Sequence, residues 1–185
     1  RYTYYPTGLK KTVSIGSGST FLTTSYTYDL MGNNLSQTSP NLGTINYTYF
    51  PNGLLQSKTD ARGKKISYSY DNVNRLALVT KPDGEVPEKF VYDENSNYGR
   101  LTTRIDLSGT TKMKYDLLGQ QTERTYYTDT QDYPNTAPSL SLKFHYEYDL
   151  FGRIKRITYP EGSKARNKYD TYSGHLTSVT MDSYD

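Results

Sequence analysis

Tyr146-Glu147-Tyr148-Asp149-Leu150-Phe151-Gly152-Arg153-Ile154 is the stretch that decides the fold. Two tyrosines flanking one polar residue have the period-two alternation of a half-buried strand. Asp149 followed three positions later by Gly152 reads as a tight turn. The segment that comes next, Arg153-Ile154-Lys155-Arg156-Ile157-Thr158, reads as a second strand running back. With losses, the pattern occurs eight times, its second tyrosine falling at Tyr4, Tyr28, Tyr49, Tyr70, Tyr92, Tyr115, Tyr148 and Tyr169. The spacings are 24, 21, 21, 22, 23, 33 and 21 residues. A period of this size marks units that cannot bury an apolar face alone and must stack on their neighbours.

Working outward, each copy supplies the same parts. The strand recurs as Tyr26-Thr27-Tyr28, Ile45-Asn46-Tyr47-Thr48-Tyr49, Ile66-Ser67-Tyr68-Ser69-Tyr70 and Phe144-His145-Tyr146-Glu147-Tyr148, with rings and aliphatics on one face and small polar groups on the other. The turn pairs Asp29 with Gly32, Asp93 with Gly99, Asp116 with Gly119, Asp149 with Gly152 and Asp170 with Gly174. Asp71 is followed by Asn74 in the glycine place, and Gly53 follows Tyr49 in a copy that lacks the Asp. Asp accepts bonds from backbone N–H groups just ahead of it, and Gly supplies a positive φ, with Asn the next most tolerant residue. In the second strand the apolar residues fall at i and i+3, as in Leu76 and Val79 or Ile154 and Ile157, which predicts a bulge or a side chain given to each face. A second turn, Lys81-Pro82-Asp83-Gly84 or Tyr159-Pro160-Glu161-Gly162, closes the unit. One β-hairpin per repeat follows, and no stretch has helical periodicity.

Composition sets the remaining bounds. Hydrophobic residues make up only 34% and the mean hydropathy is −0.83, values that suggest disorder until the 21 tyrosines are counted. Their rings bury large areas that hydropathy scales score as polar. Net charge is +3, from 22 basic and 19 acidic residues without a run of one sign, which argues against a nucleic-acid partner. Cysteine is absent, excluding disulfides and thiol chemistry. No apolar stretch is long enough to span a bilayer, so no membrane insertion is expected. Residues 1–185 read as a single array, and because Arg1 already lies inside a repeat, as a piece of a longer protein. The longest inserted loop, about 126–141, accounts for the 33-residue spacing and reads as a surface loop.

The pattern Tyr-x-Tyr-Asp-x-x-Gly-Arg-Leu/Ile resembles the YD repeats of Rhs (rearrangement hotspot) proteins, and the resemblance spans essentially the whole chain. Departures are Gln120 and His175 in the Arg place and the missing Asp after Tyr49. The resemblance implies an all-β array of about eight antiparallel hairpins forming a curved or spiralling strip. In Rhs and toxin-complex proteins such a strip forms a shell around a carboxy-terminal toxin, and in teneurins an extracellular barrel. It therefore implies a non-enzymatic structural segment of a secreted or cell-surface protein, whose partners are the remainder of its own longer chain. Sixteen strands would make a strip roughly 75 Å long, and sheets of more than about 10 strands rarely stay open without curling. Raw sheet edges would further promote self-association.

Other chemistry is weighed residue by residue. The aspartates Asp29, Asp71, Asp93, Asp116, Asp149 and Asp170 invite a calcium or acid–base reading, but calcium loops cluster their ligands within about a dozen residues, while here each Asp has a turn to cap. His145 and His175 are isolated, so neither zinc nor a triad is expected, and no metal, cofactor or catalytic residue is assigned. Arg75, Arg100 and Arg153 are expected to pair with nearby Asp or to cover tyrosine rings. Because several copies replace it, the Arg reads as the most dispensable member of the motif. The tyrosine rows leave one alternative, a carbohydrate- or cell-surface-binding module; open coplanar rings would favour it, and packed rings with bonded hydroxyls would favour a wall.

Overall fold

The computed structural model describes residues 1–17, 20–128 and 140–182. It contains sixteen strands and two single-turn 3-10 segments, Pro82–Gly84 and Glu94–Ser96, divided between two compact units, Arg1–Pro87 and Glu88–Asp185. The first unit holds β1 (Tyr2–Tyr4), β2 (Lys10–Ser17), β3 (Thr20–Tyr28), β4 (Asn34–Ser39), β5 (Gly43–Tyr49), β6 (Leu55–Thr59), β7 (Lys65–Tyr70) and β8 (Leu76–Thr80). The second holds β9 (Glu88–Tyr92), β10 (Leu101–Asp106), β11 (Gly109–Tyr115), β12 (Gln121–Tyr127), β13 (Ser141–Tyr148), β14 (Ile154–Thr158), β15 (Lys164–Tyr169) and β16 (Leu176–Asp182). Within each unit every strand pairs antiparallel with the next, so four hairpins follow one another in chain order. The fold is all-β and antiparallel throughout. The expected inserted loop at about 126–141 begins with Tyr126 and Tyr127, which belong to β12, and residues 129–139 of it lie outside the described residues.

The i, i+3 spacing of the second strands has one cause. Tyr148 lies opposite Ile154 and Glu147 opposite Arg156, which leaves Lys155 as a one-residue bulge and puts Ile157 opposite Tyr146. The same shift occurs where Tyr28 meets Asn34, Tyr49 meets Leu55, Tyr70 meets Leu76, Tyr92 meets Leu101, Tyr115 meets Gln121 and Tyr169 meets Leu176. Strict alternation plus one extra residue yields i and i+3 on one face. Both residues therefore join the tyrosine face.

Each unit thus has a tyrosine face and an opposite face, and the opposite faces differ. In the first unit it is dominated by Ser and Thr, whose hydroxyls pair across strands: Thr3 with Thr12 at 2.6 Å, Ser14 with Thr23 at 2.8 Å, Thr27 with Ser36 at 2.6 Å, Thr38 with Thr44 at 3.0 Å and Thr48 with Ser57 at 2.7 Å. In the second it is charged. Glu123 meets Lys114 at 3.0 Å and Lys143 at 3.7 Å, Arg156 meets Glu147 at 2.7 Å, and Arg166 meets Asp182 at 2.5 Å. Among the described residues only Met113 and Ala165 are buried hydrophobics, so the aromatic and half-buried layer replaces a conventional core.

Candidate functional site: the junction between repeats

In five copies the motif tyrosine fastens its hairpin to the one before it. Tyr169 Oη donates to the carbonyl of Ile154 at 2.8 Å, and Ile154 lies opposite Tyr148. Tyr148 Oη in turn donates to Gln121 at 2.8 Å, and Tyr115 Oη to Leu101 at 2.8 Å. The first unit repeats the device: Tyr70 donates to Leu55 and Tyr49 to Asn34, both at 2.9 Å. Every acceptor is the first residue of a bulged strand. A bulge disrupts the ladder locally, and this leaves a carbonyl for a side-chain donor. Burial pushes the hydroxyls of Tyr49, Tyr70, Tyr115 and Tyr148 above the ordinary phenol range, so they stay protonated donors.

The aspartates sit at the turns and cap them. Asp149 Oδ1 accepts the N–H groups of Phe151 and Arg153 at 2.9 and 3.0 Å; Asp71 does the same for Val73 and Arg75 at 3.0 and 2.9 Å, and Asp29 for Met31 and Asn33 at 2.9 and 2.8 Å. Asp116 takes the N–H of Gln120 at 2.8 Å and Asp170 that of Tyr172 at 3.0 Å. Asp93 holds the N–H of Gly99 at 2.6 Å across a longer turn. Their bonded state lowers the carboxyl pKa of Asp29, through the Asn33 side chain first, of Asp71, through the Arg75 N–H first, and of Asp170, through the Ser173 N–H first. For Asp149 desolvation acts upward, but the Arg153 side chain and the turn N–H groups outweigh it and the net shift is downward.

Glycine has two duties here. Gly152 adopts φ 78° and Gly119 φ 85°, each after a backbone bond from its own N–H to the Asp carbonyl. This is a type I turn closed by a left-handed residue. A Cβ on Gly119 would also lie 1.8 Å from Nη2 of Arg100, and one on Gly152 would lie 2.9 Å from Nε2 of Gln120. The residue after one repeat's glycine therefore lies against the glycine of the next.

Arg153 shows what that neighbour can do. Its Nε and Nη2 hold Asp149 Oδ2 at 2.7 Å, its Nη1 donates to the carbonyl of Gly174 at 3.2 Å, and the guanidinium lies 4.3 Å from the ring centroid of Tyr169. Arg75 pairs with Asp71 at 2.7 Å, and Arg100 lies over Tyr115 at 5.4 Å. Arg153 thus ties its own turn to the next repeat, a role that its replacement in other copies hides. Two copies use a different solution. Tyr5 and Phe50 stand in the Asp place, followed by Leu9 and Leu54 in the Arg place, and their rings pack edge-on against Tyr28 and Tyr70 at 6.1 Å. Asp with Arg, or aromatic with Leu, fills the same space above the next tyrosine.

Little in the arrangement offers reaction chemistry. Among the described residues no three His, Asp or Glu side chains converge as for a metal ion, and no helix is long and apolar enough to cross a membrane. His145 is exposed, 3.8 Å from Glu123, and His175 is exposed at its turn. In the close aromatic pairs the rings meet at 72–89° rather than lying coplanar, and the hydroxyls of Tyr5 and Tyr70 are bonded to backbone carbonyls. Sequence reasoning missed Glu94, whose carboxylate accepts from Thr102 at 2.8 Å and Thr103 at 2.6 Å over the longer turn. A Glu in a loop carries no signal of which strand it will reach.

The comparisons agree with this geometry. The RHS Repeat family model matches residues 51–86. Human teneurin-4 is 25% identical over 162 residues, 86% of this chain, and double-stranded DNA deaminase toxin A of Burkholderia cenocepacia (strain H111) is 27% identical over 114 residues, 62% of it. The chain spans only 5% and 7% of the lengths of these two relatives. The crystal structure of TcdB2-TccC3 without its hypervariable C-terminal region superposes with a TM-score of 0.69 over 98% of this chain and 12% of that one, at 15% identity, which speaks for the fold. The Photorhabdus luminescens Tc holotoxin pore gives 0.66 over 97% and 11%, at 16% identity. By its eight phased copies, these relatives and the shared fold, the chain is similar to the YD-repeat, or Rhs, proteins.

Proposed function

We propose that residues 1–185 act as one YD-repeat array that forms part of the wall of a β-shell or scaffold in a larger secreted or cell-surface protein, with no catalytic role of its own. The observation that carries this reading is the tyrosine seam. The most regular residues of the chain spend their polar groups on fastening hairpin to hairpin, and nothing in the motif is left aimed at a substrate. The solved structures that share the fold are parts of toxin complexes by their names, which supports a wall that encloses or presents another part of its own protein. Electron microscopy of the polypeptide that contains this array tests the reading. A β-walled compartment around a separate body is expected; an extended rod, or this array folded alone beside a free domain, would overturn enclosure. Screening the 185-residue chain on a glycan array separates the carbohydrate reading. Binding abolished by Tyr→Ala changes on the tyrosine face would favour that reading instead.

A further inference from the structure

Arg62, Arg75, Arg104, Arg153, Arg156 and Arg166 each meet a carboxylate of the chain. Arg124, which stands outside the motif, meets none among the described residues. Its Nη1 donates to Tyr126 Oη and its Nη2 to Gln121 Oε1, both at 3.1 Å, and both acceptors are neutral. Its Nε is buried with no acceptor at all. A guanidinium has five N–H donors, so each Nη keeps one for a further acceptor. A half-buried cation without a counter-charge is costly to hold, and an anion that reaches it is held correspondingly well.

The hairpin before it shows what is missing. Arg104 occupies the same place in β10, third after Leu101 as Arg124 is third after Gln121, and both Leu101 and Gln121 face the motif tyrosine across a bulge. Arg104 is held by Glu88 at 3.1 Å and by Asp106 at 3.0 Å. Asp106 lies two residues further along its strand, where β12 has Tyr126. Glu88 lies two residues before Phe90, the residue opposite Arg104; two before Met113, the residue opposite Arg124, β11 has Thr111. The arginine has been kept and both of its carboxylates have been exchanged for neutral groups.

What surrounds Arg124 indicates the kind of molecule that brings the anion. Arg124 lies on the tyrosine face between Met113 of β11 and Phe144 of β13. Tyr126 and Leu142, opposite one another and each 37% exposed, continue that face along the strands. Phe144 packs edge-on against Tyr126 at 6.0 Å and against Tyr159 at 5.8 Å. Arginine set among tyrosines on an open surface is the composition that protein interfaces concentrate at their strongest contacts. We infer that Arg124 and these rings form a docking point for a polypeptide segment that presents an Asp or Glu side chain next to an apolar one. The carboxylate closes on Arg124 as Glu88 and Asp106 close on Arg104, and the apolar neighbour rests on Tyr126 and Leu142. Membrane surfaces and nucleic acids are met by clustered cations, whereas β11, β12 and β13 put no other Lys or Arg on this face. A single arginine matches a single carboxylate.

NMR of the 185-residue chain tests this at the Arg124 Nε–H signal. The probes are the peptide acetyl-Leu-Glu-Leu-amide and its neutral counterpart acetyl-Leu-Gln-Leu-amide. The Glu peptide is expected to shift the Arg124 signal saturably in the millimolar range, and the Gln peptide to bind several-fold more weakly. The Arg104 signal, whose guanidinium is already paired, should stay still. Tyr126→Asp supplies from within the carboxylate that Asp106 gives to Arg104, and it should abolish the response. Arg124→Gln, read at the backbone N–H groups of Met113 and Phe144, should do the same. No shift with the Glu peptide, equal shifts with both peptides, or an undiminished response in Tyr126→Asp overturns the proposal. So does sodium acetate acting as strongly as the Glu peptide, which would make the ligand a small acid with no use for the rings.

Discussion

The two units share one face and differ on the other. Both carry a bulge at the start of the second strand and a tyrosine hydroxyl on the carbonyl that the bulge leaves over. Opposite this seam the first unit is laced by Ser and Thr hydroxyl pairs, whereas the second is laced by Lys, Arg and Glu. A feature retained through that exchange builds the hairpin stack, and a feature exchanged only has to keep a pleated surface wet. Cross-strand hydroxyl pairs contribute about 0.2–1 kcal/mol and exposed ion pairs about 0–1 kcal/mol, so either solution serves.

Breaking the shared face should therefore cost much more than editing the other. The largest single effect is expected for Gly119→Val, which forces a β-branched residue to φ 85° and drives its Cβ into the Arg100 guanidinium. Left-handed backbone and overpacking together cost about 2–4 kcal/mol, read as a lower urea midpoint at unchanged slope. Gly8→Val in the first unit has the same positive φ but nothing within 4 Å of its Cβ, and should lose only the backbone part of that cost. Next comes Arg153→Ala. It removes a ring contact worth about 0.5–1 kcal/mol and the bond to Gly174, so hydrogen exchange should quicken in β15 and β16 while β11 is unaffected.

Acid sharpens the comparison differently. Asp29 and Asp71 in the first unit and Asp149 and Asp170 in the second have lowered folded pKa values, so their contribution is complete above the ordinary carboxylate value of about 3.9 and is lost as pH falls from there through the lower folded values. Both units should loosen together below about pH 4. Salt separates them. Raising ionic strength screens the Glu123, Lys114 and Lys143 group, so exchange in β11–β13 should quicken slightly, by a factor below about 5, with the hydroxyl-laced strands of the first unit unchanged. An equal salt response in both would break the contrast.

Much of this was legible beforehand. Period, alternation and Asp-x-x-Gly spacing placed eight hairpins and their turns, and the i, i+3 rows already pointed to a bulge that the register places at Lys155 and its equivalents. The consequence of the bulge was not legible. That a tyrosine hydroxyl would travel to the previous repeat's carbonyl depends on strand spacing and on which carbonyl lacks a ladder partner, and neither is written in one copy. What Arg153 does in space was hidden for a related reason. Its replacement by Asn33, Gln120 or His175 looks like dispensability along the sequence, but in space Asn33 still holds Asp29, with its Nδ2 2.9 Å from Oδ2. The missing Asp after Tyr49 likewise stood as a departure from the motif, and the edge-on rings of Tyr5 and Phe50 show a second way to fill one space.

The central claim is that the motif tyrosines act as fasteners between repeats through their hydroxyls. Urea denaturation of Tyr148→Phe beside Tyr172→Phe tests it most directly, since both keep the ring and only Tyr148 has a carbonyl to serve. Removing the Tyr148 hydroxyl should cost about 1 kcal/mol, and removing that of Tyr172 close to nothing; equal midpoints for the two variants would contradict the account.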